Sequence, residues 1–554
     1  MNVAELLQLQ AKQQPNEIAI AEPRKGRWRD QNLPLTQRYR CLTFEELEED
    51  SSRLAAGLHA MGIDQGARLA LMIPPSCEFI SWVFALFKAG MVSVLIDPGM
   101  GRKNIIKCLQ RVETEGFIGI SSVQAVRTIL RHKFPTAKRN VTVGRRWFWG
   151  GPTSRQLRQT SIADFQVFKA KSTDPAAIIF TTGSTGPPKG VHYCHQNFYH
   201  QVLQIQEQYN ITPGERDLPA FPLFGLFNAA MGVSTILPDM DPTKPALVNP
   251  QNIITPIQDW EVTQSFGSPA LWETVGRYCS ENAAKMPSLK RILSAGAPVP
   301  PRVLKRMRDA MADDGEMHTP YGATESLPVA TISSSEVLGE TAEKTKAGQG
   351  TCVGTNFSAI EWRIIEICDD ELKDIKDTKE VAHGTIGELI VKGPVVTSHY
   401  VTHEKETRLH KIKEGSGFWH RMGDVGYFDQ TGRFWFCGRK AHRVQIPEQT
   451  LFSIPTEAII NQHPRVYRSA LVQIDNQGIA EAAIVVECWP ENKVTSPADR
   501  QQLLGEIKQL ASENKLTSAI THFLVRDALP VDIRHNAKIF REKISFWAQE
   551  KLGL

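Results

Sequence analysis

Residues 178 to 190, IIFTTGSTGPPKG, combine the residue types that bind phosphate groups. An apolar strand runs directly into a loop rich in glycine and hydroxyl side chains, with one lysine near its end. Glycine lets backbone N–H groups approach an anion closely, hydroxyl groups donate hydrogen bonds, and lysine adds positive charge. We therefore expect a nucleotide triphosphate to bind at Thr181, Thr182, Gly183, Ser184, Thr185, Gly186 and Lys189.

The loop differs from two other glycine-rich motifs. A Walker loop has Ser or Thr directly after its lysine, whereas Lys189 is followed by Gly190. The nucleophile elbow of the hydrolases has glycine two residues before its serine, where this chain has Thr182 before Ser184. A kinase, a GTPase and a serine hydrolase are thus disfavoured. Taken alone, a loop of this composition is equally well an ordinary turn.

Four further blocks follow the loop in order: YGATE at 321 to 325, GELIVKGP at 387 to 394, WHRMGDVGYFDQTGRFWFCGRK at 419 to 440, and PVDIRHNAKIFR at 530 to 541. Together the five blocks resemble the adenylate-forming superfamily, which includes acyl-CoA synthetases, peptide-synthetase adenylation domains and luciferases. The likeness runs from about Leu42 to the C-terminus. Within the superfamily, segments such as FPLFGLFNAAMGVSTILPDMDPTKPA and LPVDIRHNAKIFREK look like the β-lactone synthetases of bacterial long-chain olefin biosynthesis.

The resemblance implies that the chain uses ATP and Mg²⁺. Glu325 matches the carboxylate that binds Mg²⁺, and oxygen ligands are those that this ion prefers. Thr324 would hydrogen-bond the α-phosphate, and Tyr321, which precedes Gly322 in the same block, would stack on adenine. Outside such a block, a Thr-Glu pair is more often a helix cap.

The same resemblance assigns residues to the ribose and the base. Asp424 matches the acid that accepts both ribose hydroxyls, and Arg439 matches the arginine that contacts the ribose. An isolated Asp beside Gly is usually a turn residue. The wall of small residues beside adenine corresponds to Gly296, Ala297 and Pro298.

Two further residues are catalytic candidates by resemblance. Lys538 matches the lysine that reaches across the cleft to the substrate carboxylate and the α-phosphate. The family glycine before that lysine is Ala537 here, and the spacing from Pro530 is two residues longer. His195 matches a family histidine and lies near the phosphate loop, as does His192, although a structural role is about as common for such histidines.

Three departures from the acyl-CoA synthetase pattern bear on the second half-reaction. Ala441 replaces the usual Asp or Lys at the hinge, and Glu448 replaces a glycine on the pantetheine path. Gly225 replaces a histidine, which we interpret as widening the acyl pocket. We therefore expect ATP-dependent activation of a long-chain 2-alkyl-3-hydroxy acid as acyl-AMP, with cyclisation to a β-lactone. The alternatives are a long-chain fatty acyl-CoA ligase, a fatty acyl-AMP ligase, or a non-enzymatic acyl-binding protein.

Composition limits the partners. A formal net charge of +4 on 554 residues argues against nucleic acid, and RRWFWGG at 145 to 151 reads as a solvated basic loop. No signal peptide or transmembrane segment is expected, since the uncharged stretch 218 to 238 suits an acyl tunnel better than lipid. The nine cysteines form no metal-binding pattern and indicate reduced thiols in the cytoplasm. The expected partners are a long-chain β-hydroxy acid and other enzymes of the olefin pathway.

The expected fold class is α/β. Apolar strands such as ARLALMI and RILSAG alternate with helical stretches such as FEELEEDSSRLAAGLHAMG, the pattern of layered α/β domains. We predict a large layered α/β domain over residues 1 to 439 and a smaller, mobile α+β domain over 440 to 554. The polar segment 333 to 350 is predicted to be a loop.

Overall fold

The structure is a computed structural model that describes residues 2 to 181, 188 to 221, 224 to 531 and 539 to 554. Its first half contains two largely parallel sheets. The seven-stranded sheet has the spatial order Glu316–His318, Arg291–Ser294, Gln264–Gly267, Arg216–Pro219, Ser234–Ile236, Ile18–Pro23 and Tyr39–Thr43, in which only the last pair is antiparallel. The six-stranded sheet has the order Val141–Val143, Gly116–Ile120, Arg68–Met72, Val92–Leu95, Pro175–Thr181 and Lys189–Cys194, and again only the last pair is antiparallel.

Helices pack on both parallel sheets because each helix has an apolar face to bury. The helix Phe44–Ala60 begins with a capping box between Thr43 and Glu46, and the helix Cys77–Ala89 is buried along almost its whole length. The other α-helices of this half are Ala4–Gln13, Leu35–Arg38, Arg102–Arg111, Ser121–Ile129, Ser154–Leu157, His195–Tyr209, Gly225–Met231, Gln251–Asp259, Pro269–Asn282 and Pro301–Ala310.

Antiparallel strands follow and carry several of the sequence blocks named above. The strands Tyr321–Ala323, Ser326–Thr331 and Thr355–Asn356 form one small sheet. A second sheet has the order Thr351–Cys352, Phe434–Arg439, Gly417–Phe428, Gly387–Lys392 and Glu361–Ile365, and Lys411–Glu414 pairs with Gly417–Phe428. Short α-helices lie at Ser334–Glu336, Ala342–Lys346 and Glu404–His410.

The C-terminal part has its own sheet and core. Val466–Asn476 and Ile479–Cys488 pair in antiparallel fashion, and His522–Val525 adds in parallel. The helices Ser453–Ile460, Pro497–Ser512 and Arg541–Leu552 cover this sheet, and a two-stranded ribbon of Val444–Gln445 and Thr450–Leu451 precedes it. Apolar clusters form on both faces of the sheet, so this part has a core separate from the parallel sheets.

The predicted α/β fold class is confirmed. The boundary between residues 439 and 440, and the mobility of the smaller part, stay predictions. The predicted loop at 333 to 350 is wrong, because Ser333 and Glu336 form a capping box and helical turns run to Lys346. Within the described residues, no helix is long and apolar enough to cross a bilayer.

Candidate active site

Asp424 lies at the centre of a compact polar cluster. It pairs in register with Arg439 across two neighbouring strands, and Nη1 of Arg439 lies 2.9 Å from Oδ1 of Asp424. The hydroxyl of Tyr321 donates a hydrogen bond to Oδ2 of Asp424. Burial raises the pKa of Asp424, while the positive charge of Arg439 opposes that shift.

The second carboxylate oxygen of Asp424 fits a ribose hydroxyl. Oδ1 is fully buried and accepts no hydrogen bond from any described residue, although Arg439 lies beside it. Arg439 compensates the charge of this oxygen without a well-aligned hydrogen bond to it, so the oxygen keeps lone pairs that suit a ligand's hydroxyl group. The structure thus brings Asp424 and Arg439 together, and their contacts with a ribose stay predictions.

A tight hairpin presents Thr324 and Glu325. They connect the strands Tyr321–Ala323 and Ser326–Thr331, which pair through Ala323 and Ser326. A Cβ atom on Gly322 would lie 2.7 Å from the carbonyl oxygen of Ser326, so glycine is required there. The Thr324 carbonyl accepts a hydrogen bond of 2.5 Å from the Tyr193 hydroxyl, which ties the hairpin to the six-stranded sheet.

Sequence reasoning missed two residues that hold Glu325. Oε1 of Glu325 accepts a hydrogen bond of 2.8 Å from the Tyr400 hydroxyl, and its carbonyl accepts hydrogen bonds from the backbone and the hydroxyl of Thr397. Lys411 in turn donates to the Thr397 carbonyl, and burial lowers the pKa of Lys411 to about 7. Tyr400 stands six residues after GELIVKGP, but its contact with Glu325 depends on tertiary packing.

Lys189 lies where the six-stranded sheet meets this cluster. It begins the strand Lys189–Cys194, forms an ion pair with Glu406, and has its Nζ 5.2 Å from the centre of the Tyr400 ring. In this structure the ammonium group therefore has a carboxylate partner. Its assignment to the nucleotide phosphates stays a prediction that requires exchange of Glu406 for a phosphate oxygen.

The predicted adenine wall follows a strand of the seven-stranded sheet. Gly296, Ala297 and Pro298 come directly after Arg291–Ser294, at the carboxyl end where ligands bind in open α/β sheets. Gly296 has a φ of +97°, which favours glycine. Gly296 and Pro298 are exposed, as a surface that receives a base would be.

An apolar cavity adjoins both the wall and the hairpin. Ala295 and Pro320, which line it, directly precede Gly296 and Tyr321, and Leu327 lines it two residues after Glu325. Its other lining residues include Tyr209, Phe224, Phe227, Met231 and Phe266. The segment 218 to 238 therefore contributes to a cavity wall, and its role as an acyl tunnel stays a prediction.

His195 lies in the protein core. It is fully buried at the start of the helix His195–Tyr209, and its ring centre is 5.7 Å from that of Phe87 and 6.4 Å from that of Phe168. Neither ring nitrogen has a hydrogen-bond partner among the described residues, and burial lowers the pKa of His195 to about 4. No described contact joins it to Glu325 or Asp424, so its catalytic role stays a prediction.

The residues that depart from the synthetase pattern have different surroundings. Gly225 begins a buried helix, and a Cβ atom there would lie 3.3 Å from both Pro219 and Thr235. The interpretation that Gly225 widens the pocket is wrong, because its missing side chain faces the sheet and Gly225 does not line the cavity described above. Ala441 and Glu448 are exposed.

Several predicted site residues lie outside the described residues. They are Thr182, Gly183, Ser184, Thr185, Gly186 and Lys538, and only the backbone of Thr181 is described. Across the part of the chain that is described, no group of three His, Cys, Asp or Glu side chains could hold a metal ion. A single carboxylate such as Glu325 suits Mg²⁺, which usually binds through one or two protein carboxylates together with substrate phosphates.

Comparison with known proteins decides the family. The model of the AMP-binding enzyme family matches residues 7 to 401. The chain belongs to the AMP-binding enzyme family. It is an AMP-forming ligase, as predicted, and the family match runs through the wall, the hairpin and Tyr400.

Individual known proteins extend the likeness to the whole chain. Olefin beta-lactone synthetases of Xanthomonas campestris pv. campestris and Stenotrophomonas maltophilia are each 41% identical over 99% and 100% of this chain and 98% of their own length. The structure matches the amide bond synthetase McbA of Marinactinospora thermotolerans with a TM-score of 0.78, 18% identity and coverage of 98% and 99%. It matches MenE of Bacillus subtilis, in complex with ATP and a magnesium ion, with a TM-score of 0.72, 20% identity and coverage of 97% and 98%.

Proposed function

We propose that this chain uses ATP to convert a 2-alkyl-3-hydroxy acid with long alkyl chains into a β-lactone, releasing AMP and pyrophosphate. The observation that carries this proposal is the 41% identity, along the whole chain, to two olefin beta-lactone synthetases. The site agrees with it, because Oδ1 of Asp424 keeps lone pairs that suit a ribose hydroxyl, and an apolar cavity adjoins the hairpin and the small-residue wall.

The first step forms the acyl-adenylate. A carboxylate oxygen of the substrate attacks the α-phosphorus, and the bond from that phosphorus to the pyrophosphate oxygen breaks. In this proposal Asp424 and Arg439 hold the ribose, and Tyr321, which donates a hydrogen bond to Asp424, stacks on adenine. The small wall at 296 to 298 leaves room for the base. Because the nucleotide is bound beside the cavity that holds the acid, the attack becomes effectively unimolecular, which lowers its entropic cost.

Mg²⁺ fits beside Glu325. The side chain of Glu325 is held by Tyr400, and within the described part of the chain its other oxygen accepts no hydrogen bond, which leaves it for a metal ion. A bound Mg²⁺ would neutralise charge on the phosphates.

The second step closes the ring. The oxygen of the substrate's own 3-hydroxyl attacks the acyl carbon, the bond from that carbon to the AMP oxygen breaks, and the hydroxyl proton passes to a base. AMP leaves with an oxygen that came from the carboxylate. Because the nucleophile is part of the substrate, no second substrate is required, and proximity supplies an effective molarity of about 10⁵ M or more.

Product analysis tests this proposal against a CoA ligase. The enzyme is incubated with ATP, Mg²⁺ and a racemic 2-alkyl-3-hydroxy acid, with and without CoA, and the products are identified by NMR and mass spectrometry. We expect β-lactone in both reactions, and at most an acyl-adenylate from a fatty acid without the hydroxyl. Acyl-CoA formed in preference to lactone would support the ligase instead.

The proposed setting is the cytoplasm, in association with other enzymes that make or consume the same long-chain intermediates. All nine cysteines are free thiols in the structure, which agrees with a reducing compartment. Co-purification of the tagged protein from its native cells, followed by mass spectrometry, tests the association.

A further inference from the structure

A strongly basic segment lies at the outer edge of the six-stranded sheet. Between Glu115 and Asp164 the chain contains no Asp or Glu, but nine Lys or Arg. Since the whole chain carries +4 and this segment +9, the remaining residues together carry −5. The positive charge of the protein is therefore concentrated in one segment, which contains the edge strand Val141–Val143 and its neighbour Gly116–Ile120.

Most of these cations have no carboxylate partner among the residues that the structure describes. Arg158 is paired with Asp50 and Glu78. Among the described residues, no ion pair is formed by Arg127, Arg131, Lys133, Lys138, Arg139, Arg145, Arg146 or Arg155. Six of these eight are exposed, namely Arg131, Lys138, Arg139, Arg145, Arg146 and Arg155.

Two large aromatic side chains project from the same segment. Trp147 is 60% exposed and Phe148 is 72% exposed, directly after Arg145 and Arg146. We call residues 145 to 148 the aromatic loop. Its neighbour, the helix Ser121–Ile129, adds Val126 and Ile129, which are also largely exposed.

The aromatic loop is held in place rather than frayed. Trp149 is buried, donates a hydrogen bond of 2.8 Å to Thr142, and has its ring centre 5.1 Å from that of Phe148 and 5.8 Å from that of Trp147. Ser121 donates a hydrogen bond of 2.5 Å to the Arg145 carbonyl, so the loop lies against the start of the helix. The exposure of Trp147 and Phe148 is thus a property of an ordered surface.

We propose that the aromatic loop and the surrounding basic residues dock the protein onto the surface of an anionic lipid bilayer. Trp and Phe side chains favour the interface between headgroups and acyl chains, and Lys and Arg near that surface are attracted to anionic headgroups. The charge complementarity and the absence of acids in the segment favour this partner. The sequence alone indicated a solvated loop, because it does not reveal that two aromatic rings stand outside the core.

Docking would place the enzyme where its substrate collects. A long-chain hydroxy acid partitions into bilayers because each buried methylene favours the bilayer by about fourfold. This benefit rests on the proposed function, but the docking itself does not, since it depends only on the loop and its charges. Vesicle binding therefore tests the docking proposal, and product analysis tests the proposed function, so that either can be wrong while the other holds.

Vesicle flotation with the full-length protein tests the proposal. The vesicles contain phosphatidylcholine alone or a 70:30 mixture with phosphatidylglycerol, at low and high NaCl. We expect binding to the anionic vesicles that weakens with salt, and about 10-fold or greater loss of binding in Arg145→Gln/Arg146→Gln, because each basic residue near the surface contributes about fivefold. Trp147→Ser/Phe148→Ser should lose binding at both salt concentrations.

Matched controls change similar residues elsewhere. Leu247→Ser/Phe546→Ser removes side chains that are 78% and 75% exposed, and Arg277→Gln/Lys290→Gln removes two exposed cations. Both controls should bind vesicles like the original protein, and turnover of a short-chain substrate in solution should be unchanged in all four variants. The proposal would be overturned if the original protein did not bind anionic vesicles. It would also be overturned if Arg145→Gln/Arg146→Gln and Trp147→Ser/Phe148→Ser bound them as well as the original protein does. A different outcome would also overturn it: the original protein does not bind vesicles but self-associates in sedimentation experiments, and Trp147→Ser/Phe148→Ser abolishes that self-association. The aromatic loop would then be a contact between copies of the protein.

Discussion

Asp424 and Arg439 face each other across neighbouring strands, with Oδ1 and Nη1 2.9 Å apart, yet that oxygen accepts no hydrogen bond from a described residue. The ion pair holds the carboxylate in one orientation. Its unused lone pairs are what a ribose hydroxyl needs, so we predict that the pair binds the ribose of the nucleotide without breaking its own ion pair.

Asp424→Ala is expected to weaken ATP binding more than it slows the chemical step. The ribose contacts are similar in the bound substrate and the transition state, so their loss raises KM for ATP with a smaller change in kcat. A hydrogen bond to a charged group contributes about 1.5 to 3 kcal/mol, which predicts about a 10-fold to 100-fold rise. Isothermal titration calorimetry measures the corresponding rise in the Kd for ATP, and Asp64→Asn, at an exposed position, is the control. Unchanged ATP affinity would contradict the ribose assignment.

Glu325→Gln is expected to raise the Mg²⁺ concentration needed for half-maximal activity, because an amide is a weaker ligand than a carboxylate. Tyr400→Phe should also raise this Mg²⁺ concentration, by about tenfold, because it removes the hydrogen-bond donor that orients Glu325. Magnesium titrations of pyrophosphate release measure both effects. Tyr467→Phe, in the C-terminal sheet, is the control. An unaltered magnesium dependence in Glu325→Gln would remove that residue from the metal site.

Lys538→Ala is expected to reduce adenylation by about 10² to 10³-fold, which is typical for the loss of one donor to developing charge. ATP affinity should change little, since the charge is needed most where the carboxylate meets phosphorus. Single-turnover pyrophosphate release and ATP titration separate the two quantities, with exposed Lys551→Ala as control. Adenylation at the original rate would show that another residue has this role.

Protonation of His195 is expected to destabilise the protein in acid. Its pKa is about 4 in the folded protein, below the ordinary 6.5, so the unfolded chain takes up the proton first as pH falls. Stability should therefore decline between about pH 6.5 and pH 4, by up to about 3 kcal/mol. His195→Leu should flatten this decline and exposed His132→Gln should not, as measured by urea unfolding against pH. An equal slope in His195→Leu and the original protein would contradict the assignment.

Turnover of His195→Leu separates the structural and catalytic roles of this histidine. Retention of kcat would assign the imidazole to the core alone. A large loss of kcat in a stably folded variant would support the predicted catalytic role.

Much of the fold could be predicted because it follows from local patterns. The helices Phe44–Ala60 and Cys77–Ala89 have capping residues and long apolar faces, and the strand Arg291–Ser294 is a short apolar run before glycine. The segment 333 to 350 was missed because polar composition suggested a loop. Its helical turns are stabilised by the Ser333 capping box and by the ion pair from Arg433 to Glu340, which the local sequence does not reveal.

The site was predictable only where a residue belongs to a motif. Asp424, Arg439 and Tyr321, which were each assigned to the nucleotide from a motif, lie in contact with one another, although their roles toward a ligand stay predictions. Tyr400 is 75 residues from Glu325, so their hydrogen bond depends on how the antiparallel sheet packs against the hairpin. The burial of His195 between Phe87 and Phe168 is likewise a tertiary property that periodicity does not report.

Oxygen tracing tests the central claim, that the acid is activated as its adenylate and then attacked by its own hydroxyl. The substrate is a 2-alkyl-3-hydroxy acid with ¹⁸O in both carboxylate positions, incubated with the enzyme, ATP and Mg²⁺ without CoA. We predict one ¹⁸O in the phosphate of AMP, one in the lactone carbonyl, and an unlabelled ring oxygen, as measured by mass spectrometry. Unlabelled AMP together with a lactone that retains both ¹⁸O atoms would show that the hydroxyl is activated instead, and would contradict this account.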